Sequence, residues 1–462
     1  MFAAIDRNSG LSVKKQLYDA ITSKILQGEL SEGEKLPSSR EFANQLGIAR
    51  NTVIEIYEQL VSEGYIKAEN GKGTFVCRVL TVPADKRTVK QREKRVPAVK
   101  DNRILFAGGV PDLGAFPGKA WMRAMKRSFD EVQEDDLGYM NASGYRPLRD
   151  SLARYLFQCK GINCSGRQIV IVNGTSDAVA LLALMFQQRF SQVIAEAATV
   201  SFVPDIFRAY SYSLYPVAVD ESGICTGQLP DMDNCLIFIS PSHQYPLGGT
   251  LPVDRRHQLL EYAKEHRHYI IEDDYDSEFR YSGAPVNSLH QLAPDYVIHV
   301  GTFSKTLAPF LRLAYMVMPE QLVAQTRKLL KKLNHRVNTM NQAALEYLLK
   351  QGIYVKHVHS MCKQYKKKMQ CLIRVLNEQF GENIRINGMN SGLHIAVVFP
   401  GREFNRESTA VFSQHGLGIE LLTDYMLEKA DTCNTLILGF GNLSEKEILE
   451  GICRLKEAID AL

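Results

Sequence analysis

The sequence predicts an α/β protein in two parts: a small module of helices with a β-hairpin and, beyond a basic linker, a large open sheet of mainly parallel strands covered by helices. Three observations predict it. Apolar residues up to position 63 recur at helical spacing, and two alternating segments around a glycine-rich tip follow them. Residues 78–100 hold eight basic against two acidic side chains, with Pro83 and Pro97 and no apolar period. Beyond them, short apolar runs alternate with longer helical stretches, the pattern of strand–helix–strand units.

In chain order, Leu11, Val13, Leu17, Ile21 and Ile25 mark one face of a helix that Gly28 ends. Pro37-Ser38-Ser39 starts a second helix, because a serine side chain can accept from the free N–H groups of Arg40-Glu41-Phe42-Ala43, and Gly47 stops it after Leu46. A third helix runs from Arg50 to Glu63 with Val53, Ile56, Tyr57 and Leu60 on its stripe. Tyr65-Ile66-Lys67 and Thr74-Phe75-Val76 then form a hairpin around Asn70-Gly71-Lys72-Gly73. The linker reads either as a solvated tether or as a basic strap near a polyanion. The strands expected after it are Ile169–Val172, Val193–Ala195, Leu236–Ile239, Tyr269–Ile271, Val297–Val300 and Leu313–Met318, with helices at Ala178–Gln188, Asp254–His266 and Gln321–Lys332. From about residue 345 a Lys-rich helix, Gln351–Asn377, and mixed short elements suggest a smaller α/β subdomain. The expected division is 1–77, linker 78–103, and 104–462.

Composition bounds the function. With 462 residues, 45% apolar, the chain can bury sizeable cores and is long enough for two or three domains. No uncharged apolar run is long enough to span a membrane, and MFAAIDRNSG is not a signal peptide, so a cytoplasmic protein without membrane partners is expected. Nine scattered cysteines without a C-x-x-C pair argue against a disulfide framework or a zinc ribbon. They are expected reduced and mostly buried, and no metal site is expected. A net charge of +4 names no partner.

Helix, glycine-containing turn, helix and glycine-tipped hairpin describe a winged helix-turn-helix, whose second helix presents its N-terminal residues to base edges. Arg50 can pair bidentately with guanine, Asn51 and Thr52 can reach bases or phosphates, and Arg40 can hold a phosphate. Gly71 and Gly73 let backbone approach a phosphate, and Lys72 adds charge. The module carries nine basic and ten acidic residues, so placement rather than net charge must favour double-stranded DNA. LPSSREFANQLGIARNTVIEIYEQLVSEGYIKAENGKGTFV resembles the GntR-type winged helix over nearly all of residues 10–77. The resemblance implies DNA contacts at Arg40, Arg50, Asn51, Thr52 and Gly71. Ala49 stands where that family usually has a capping serine.

Three segments of the larger part carry chemistry. Ile270-Ile271-Glu272-Asp273-Asp274-Tyr275 is an apolar strand ending in acids, at the edge where open α/β sheets bind ligands. Gly301-Thr302-Phe303-Ser304-Lys305-Thr306 follows a strand and supplies a lysine among hydroxyls, with Arg312 seven residues on. Gly174-Thr175-Ser176-Asp177 opens a helix whose N–H groups can hold a phosphate. Pyridoxal 5'-phosphate needs all of these: an amine for its aldehyde, a carboxylate for its ring nitrogen, and a helix N-terminus with an arginine for its phosphate. Lys305, Asp273, Thr175 and Arg312 fill those roles.

IIEDDYDSEFRY, PSHQYPLGG, GTFSKTLAPFLRLAY and GYRPLRDSLARYL resemble the fold-type-I PLP-dependent transferase-like domain of MocR/GabR-type regulators, over roughly residues 104–445. That resemblance implies that Lys305 is the catalytic lysine that forms the internal aldimine, that Asp273 pairs with the ring nitrogen and that Tyr275 bonds the ring oxygen. It places Arg312, Thr302 and the Thr175–Ser176 backbone at the phosphate, counts Ser304 among the cofactor-binding residues, puts His243 and Gln244 in the pocket wall, and implies a homodimer. Two family features are missing. Glu196-Ala197-Ala198-Thr199-Val200 lacks the aromatic that stacks on the cofactor, for which Phe202 is a candidate substitute, and Leu436-Ile437-Leu438-Gly439-Phe440 lacks the preceding arginine that clamps a substrate carboxylate. The expected function is a PLP-dependent transcriptional regulator in which an amine, amino-acid or B6-type effector is sensed through aldimine chemistry. An active aminotransferase with a fused DNA-binding head is the alternative, and a regulator that has lost the cofactor a weaker third.

Overall fold

A computed structural model describes residues 10–78, 102–131, 138, 141–283 and 286–462. The chain divides into two compact units, Met1–Lys100 and Asp101–Leu462. The basic linker expected at 78–103 lies almost wholly outside the described residues.

In the first unit, helices Val13–Leu26, Ser39–Leu46 and Arg50–Ser62 are followed by a hairpin of Ile66–Glu69 and Gly73–Val76. Ser12 and Ser38 cap the first two helices by accepting from Lys15 and Glu41 N–H, and Gly47 ends the second at φ 63°. Ala49 makes no side-chain cap bond, so the first-turn N–H groups of the third helix are uncapped. Leu17, Ile21, Phe42, Val53, Ile56, Leu60, Ile66 and Val76 meet in one core. Leu11, counted on the buried face by its spacing, is 58% exposed because the helix begins only after it. A third strand, Lys35–Leu36, pairs with the hairpin. Two residues are too short to show a period.

The second unit is built on a seven-stranded sheet in the order Ile169–Val172, Ala314–Val317, Val297–Thr302, Tyr269–Asp274, Leu236–Ile239, Gln192–Glu196, Ser213–Val217. All are parallel except Ala314–Val317, which opposes both neighbours. The central strands are buried on both faces, which is why they read as unbroken apolar runs. Alternation sorts their side chains: Val170 and Val172 join the core under helix Thr175–Phe186, while Ile169 and Ile171 join Leu152, Leu345 and Leu348 on the other side. The edge strand Ser213–Val217 escaped the sequence reading because it is half exposed and contains Pro216.

A second, antiparallel sheet pairs Arg385–Asn387, His394–Val398, Thr435–Gly439 and Glu420–Leu421. Its core takes Leu372, Leu376, Ile395, Val397, Leu436, Leu438, Ile452 and Leu455 from these strands, the 28-residue helix Ile353–Phe380 and the last helix, Glu445–Asp460. Position 345 falls within helix Thr339–Lys350, whose Leu345 and Leu348 pack with the large sheet. Ile104–Leu105 pairs with Leu417–Gly418, so Ile104 and Phe106 belong to this second core although they open the unit.

All nine cysteines are free, but only Cys235 and Cys371 are buried. The expectation of mostly buried thiols fails because five others are only half-buried at the margins of the cores and loops, and Cys159 and Cys453 are exposed. No described helix is long and apolar enough to cross a membrane. Phe106→Ala removes a fully buried ring that packs against Gly451. It is expected to cost about 3–5 kcal/mol, seen as a lower urea midpoint for this unit in the full chain.

Candidate functional site

The strand Tyr269–Asp274 carries three consecutive acids, and its period of two separates them. Glu272 turns to one side, where it accepts from Leu289 N–H at 2.8 Å and contacts His299 Nδ1 at 3.1 Å. Asp274 shares that side, 2.7 Å from Lys160 Nζ and 3.7 Å from His299 Nε2. Burial alone would raise the Asp274 carboxyl, but Lys160 and His299 hold it well below the usual range. Asp273 turns the other way, is buried, and its Oδ1 has no hydrogen-bond partner. Burial pushes its carboxyl up to about 7, reinforced by the charge of Asp274 and opposed by Lys305.

Lys305 lies in the loop after strand Val297–Thr302. Burial lowers the proton affinity of its amine, while Asp276, Asp273 and Glu420 act in the opposite sense. Tyr275 Oη and His243 Nδ1 are 3.0 Å apart, and His243 Nδ1 is also 3.0 Å from Asp276. The rings of Tyr275 and His243 lie nearly parallel at 5.9 Å, with His394 against His243 at 4.7 Å. Donor atoms of His243, Asp276 and His394 lie within 4.8 Å of one another, although His243 Nδ1 is already engaged. Thr302 and Ser304 are joined by a hydroxyl contact of 3.1 Å, and Thr302 Oγ1 accepts from Ser304 N–H at 3.1 Å.

Helix Thr175–Phe186 starts at Gly174, φ 117°, with no side-chain cap. Arg312 sits in the left-handed region at φ 50°, is exposed, and lays its guanidinium over that helix end. A Cβ on Gly174 would stand 3.1 Å from Arg312 Nη2. Uncapped N–H groups beneath a guanidinium form an anion site. The structure thus gathers an amine, an unpartnered acid and an anion cradle at the carboxyl ends of parallel strands, where open α/β sheets bind ligands.

Gln244, expected in the pocket wall, spends its amide on main chain: Nε2 donates to Ala198 and Tyr245 carbonyls, and Oε1 accepts from Leu247 N–H. Phe202, considered as a stacking aromatic, is half-buried and packs beside the core that holds Phe207 and Tyr212. Sequence reasoning missed Tyr245, Tyr425, Glu420 and the Gly108-Gly109 pair. Tyr245 Oη is 3.1 Å from Tyr425 Oη, and Glu420 Oε2 accepts from Gly108 N–H at 2.8 Å. The paired glycines and the PSHQYPLGG motif were the available signals, since Glu420 reaches Gly108 from 312 residues away.

In the first unit Arg40, Arg50, Asn51, Gly71 and Lys72 are exposed and Thr52 is half-buried. Arg50 Nε donates to Ser39 Oγ at 3.3 Å, which ties the starts of the second and third helices together. Gly71 adopts φ 76° at the hairpin tip, and Lys72 lies 3.7 Å from Glu69.

Residues 102–424 match the family of class I and II aminotransferases, and residues 13–76 match the gntR family of bacterial regulatory proteins. Over 98% of both chains the protein is 34% identical to YdeL, an HTH-type transcriptional regulator of Bacillus subtilis. It is 29% identical to MocR, a probable rhizopine catabolism regulatory protein of Rhizobium meliloti, over 99% of this chain and 96% of that one. It is 28% identical to the pyridoxine biosynthesis regulator PdxR of Corynebacterium glutamicum, over 99% and 98%. Among solved structures, a multiple substrate aminotransferase of Thermococcus profundus superposes with a TM-score of 0.72 at 26% identity, covering 78% of this chain and 92% of that one. The kynurenine aminotransferase of Pyrococcus horikoshii gives 0.71 at 26%, covering 81% and 96%.

The raised Asp273 carboxyl has a consequence for stability. Its proton is held up to about 7 in the fold but only to the ordinary value of 3.8 when unfolded, so the ligand-free fold loses stability as pH rises between the two. Thermal unfolding of the ligand-free protein is expected at a lower temperature at about pH 8 than at about pH 5, and Asp273→Asn is expected to flatten that slope. An identical slope in the variant would show that Asp273 is not the group responsible.

Proposed function

This chain belongs to the MocR type of transcriptional regulator, a GntR-type winged helix joined to a fold-type-I aminotransferase domain, and from that premise we propose that it binds pyridoxal 5'-phosphate at Lys305 and senses a small amine, amino acid or B6-type compound with it. The observation that carries this reading is the buried Asp273 Oδ1 without a partner, acted on by the Lys305 charge, with the Arg312 cradle at the same strand-end edge of the sheet. When bound, the cofactor supplies an electron-poor aldehyde that captures primary amines.

The residues divide the work. Lys305 offers an amine whose burial favours the uncharged, nucleophilic form. Asp273, poised near neutrality, ionises beside a protonated ring nitrogen and holds it. Tyr275, with His243 behind it, donates to the ring oxygen, and Gln244 braces that loop. Arg312, Thr302, Ser304, Thr175 and Ser176 take the phosphate. In the head, Arg50, Asn51 and Thr52 face bases of a double-stranded operator, while Arg40, Gly71 and Lys72 hold its backbone. Residues 1–77 would then be the reader, 78–103 the tether and 104–462 the sensor. The protein would work as a homodimer in the cytoplasm with the DNA it reads, the effector shifting the arrangement of the heads by the typical coupling of about 1–3 kcal/mol.

Retention of Lys305 also suits an active aminotransferase with a fused head. Adding a keto acid after an amino donor separates the two: an enzyme regenerates its original absorbance band through the keto acid, whereas a sensor keeps the shifted one. Lys305→Ala is expected to abolish borohydride-fixed cofactor without unfolding the protein, and covalent cofactor in that variant would refute the assignment. Arg50→Ala is expected to lose operator preference, by about 1–3 kcal/mol, while retaining weak salt-sensitive DNA binding. Unchanged sequence preference in a filter-binding titration would contradict the recognition-helix roles.

A further inference from the structure

The charged groups acting most on the Lys305 amine are Asp276, Asp273 and Glu420, all acidic. Asp276 is engaged with His243, and Asp273 faces the ring nitrogen in the reading above. Glu420 accepts from Gly108 N–H at 2.8 Å and from the Tyr425 hydroxyl, and no cationic side chain pairs with it among the described residues. It stands opposite Ile437 in the antiparallel sheet, and because Leu436 and Leu438 enter the core, Ile437 and Glu420 belong to the other face. The neighbouring strand adds His394 to that face, its ring 4.9 Å from that of Tyr245.

Two consecutive glycines join this wall to Lys305. A Cβ on Gly108 would lie 2.6 Å from Tyr245 Oη and 2.8 Å from Glu420 Oε2, and a Cβ on Gly109 would lie 3.3 Å from Lys305 Nζ. Side chains there would crowd the amine on one side and the carboxylate and phenol on the other, which glycines avoid. Tyr425 completes the wall, its ring edge-on to Tyr245 at 5.1 Å and its hydroxyl 3.1 Å from that of Tyr245. One carboxylate and two phenol oxygens, hydrogen-bonded in a chain, thus lie beside the glycine pair that borders Lys305. A carboxylate on a ligand reaching this wall would meet like charge, whereas an ammonium would find a charge-assisted acceptor.

We propose that the effector is a primary amine with a second positive charge and no carboxylate, such as a linear diamine, whose distal ammonium is held by Glu420 with Tyr245 and Tyr425. The inference rests on the cofactor reading above and names the ligand class of that same site.

The test titrates full-length protein loaded with pyridoxal 5'-phosphate against putrescine, butylamine and γ-aminobutanoate, following the cofactor's visible absorbance. Putrescine is expected to half-saturate at a concentration about tenfold below butylamine, with γ-aminobutanoate weakest. Glu420→Gln keeps an oxygen to accept the Gly108 N–H and removes only the charge, and it is expected to bring putrescine within about twofold of butylamine. A wild-type preference for γ-aminobutanoate, or an unchanged ratio in Glu420→Gln, would overturn the proposal and leave Glu420 as a brace for the glycine loop. No cofactor band in the wild type, or one that survives Lys305→Ala, would instead overturn the cofactor reading and this inference with it.

Discussion

A single carboxylate held in the interior without a partner organises the candidate site. Three acids in a row at the end of a buried strand would be mutually repulsive in any arrangement that faced them together. The pleat prevents this: Glu272 and Asp274 go to the side that supplies His299, Lys160 and main-chain N–H groups, and Asp273 goes alone to the other. Lys160 is itself nearly excluded from water, yet two carboxylates, Asp274 and Glu278, hold its amine well above the ordinary range despite that burial. Breaking such a buried pair leaves an uncompensated charge. The structural acids are therefore the satisfied ones, and the acid left unsatisfied is the one available to a ligand.

The opposite end of the site follows a complementary rule. Helix Thr175–Phe186 begins with free N–H groups because Gly174 offers no side chain to cap them. The same missing side chain admits the Arg312 guanidinium, which reaches that position from a left-handed backbone conformation at the end of a short turn. Donors and positive charge gather there, and acids gather around Lys305. A dipolar ligand with one anionic end is oriented by that gradient before any specific contact forms.

The winged helix is built by the same economy of caps. Ser38 satisfies the start of the second helix, whereas Ala49 leaves the start of the third open and beside Arg50. An uncapped helix end next to an exposed arginine is suited to a phosphate or a base edge. This explains how a module with slightly more acids than bases can serve DNA: the placement of a few donors outweighs the sum of charges.

Local pattern made much of this legible in the sequence. Helices, caps, the hairpin tip and the central strands follow from spacing and turn chemistry within some ten to twenty residues, and the Asp273, Tyr275, Lys305 and Arg312 segments carry their chemistry in short contiguous motifs. The less local features were not legible. The two-residue strand Lys35–Leu36 is too short to show a period, and Ser213–Val217 is a half-exposed edge. Ile104 and Phe106 enter a core made largely by residues beyond 360, and Glu420 reaches Gly108 across 312 positions. Such partners are chosen by strand register and by the absence of Cβ atoms at facing glycines, which depend on where distant strands meet. The sequence by itself therefore determined the two-part architecture and the chemistry available for a cofactor and for DNA; only the tertiary structure decided which acid stands unpaired and which wall a ligand must face, because burial and register are properties of the packed chain.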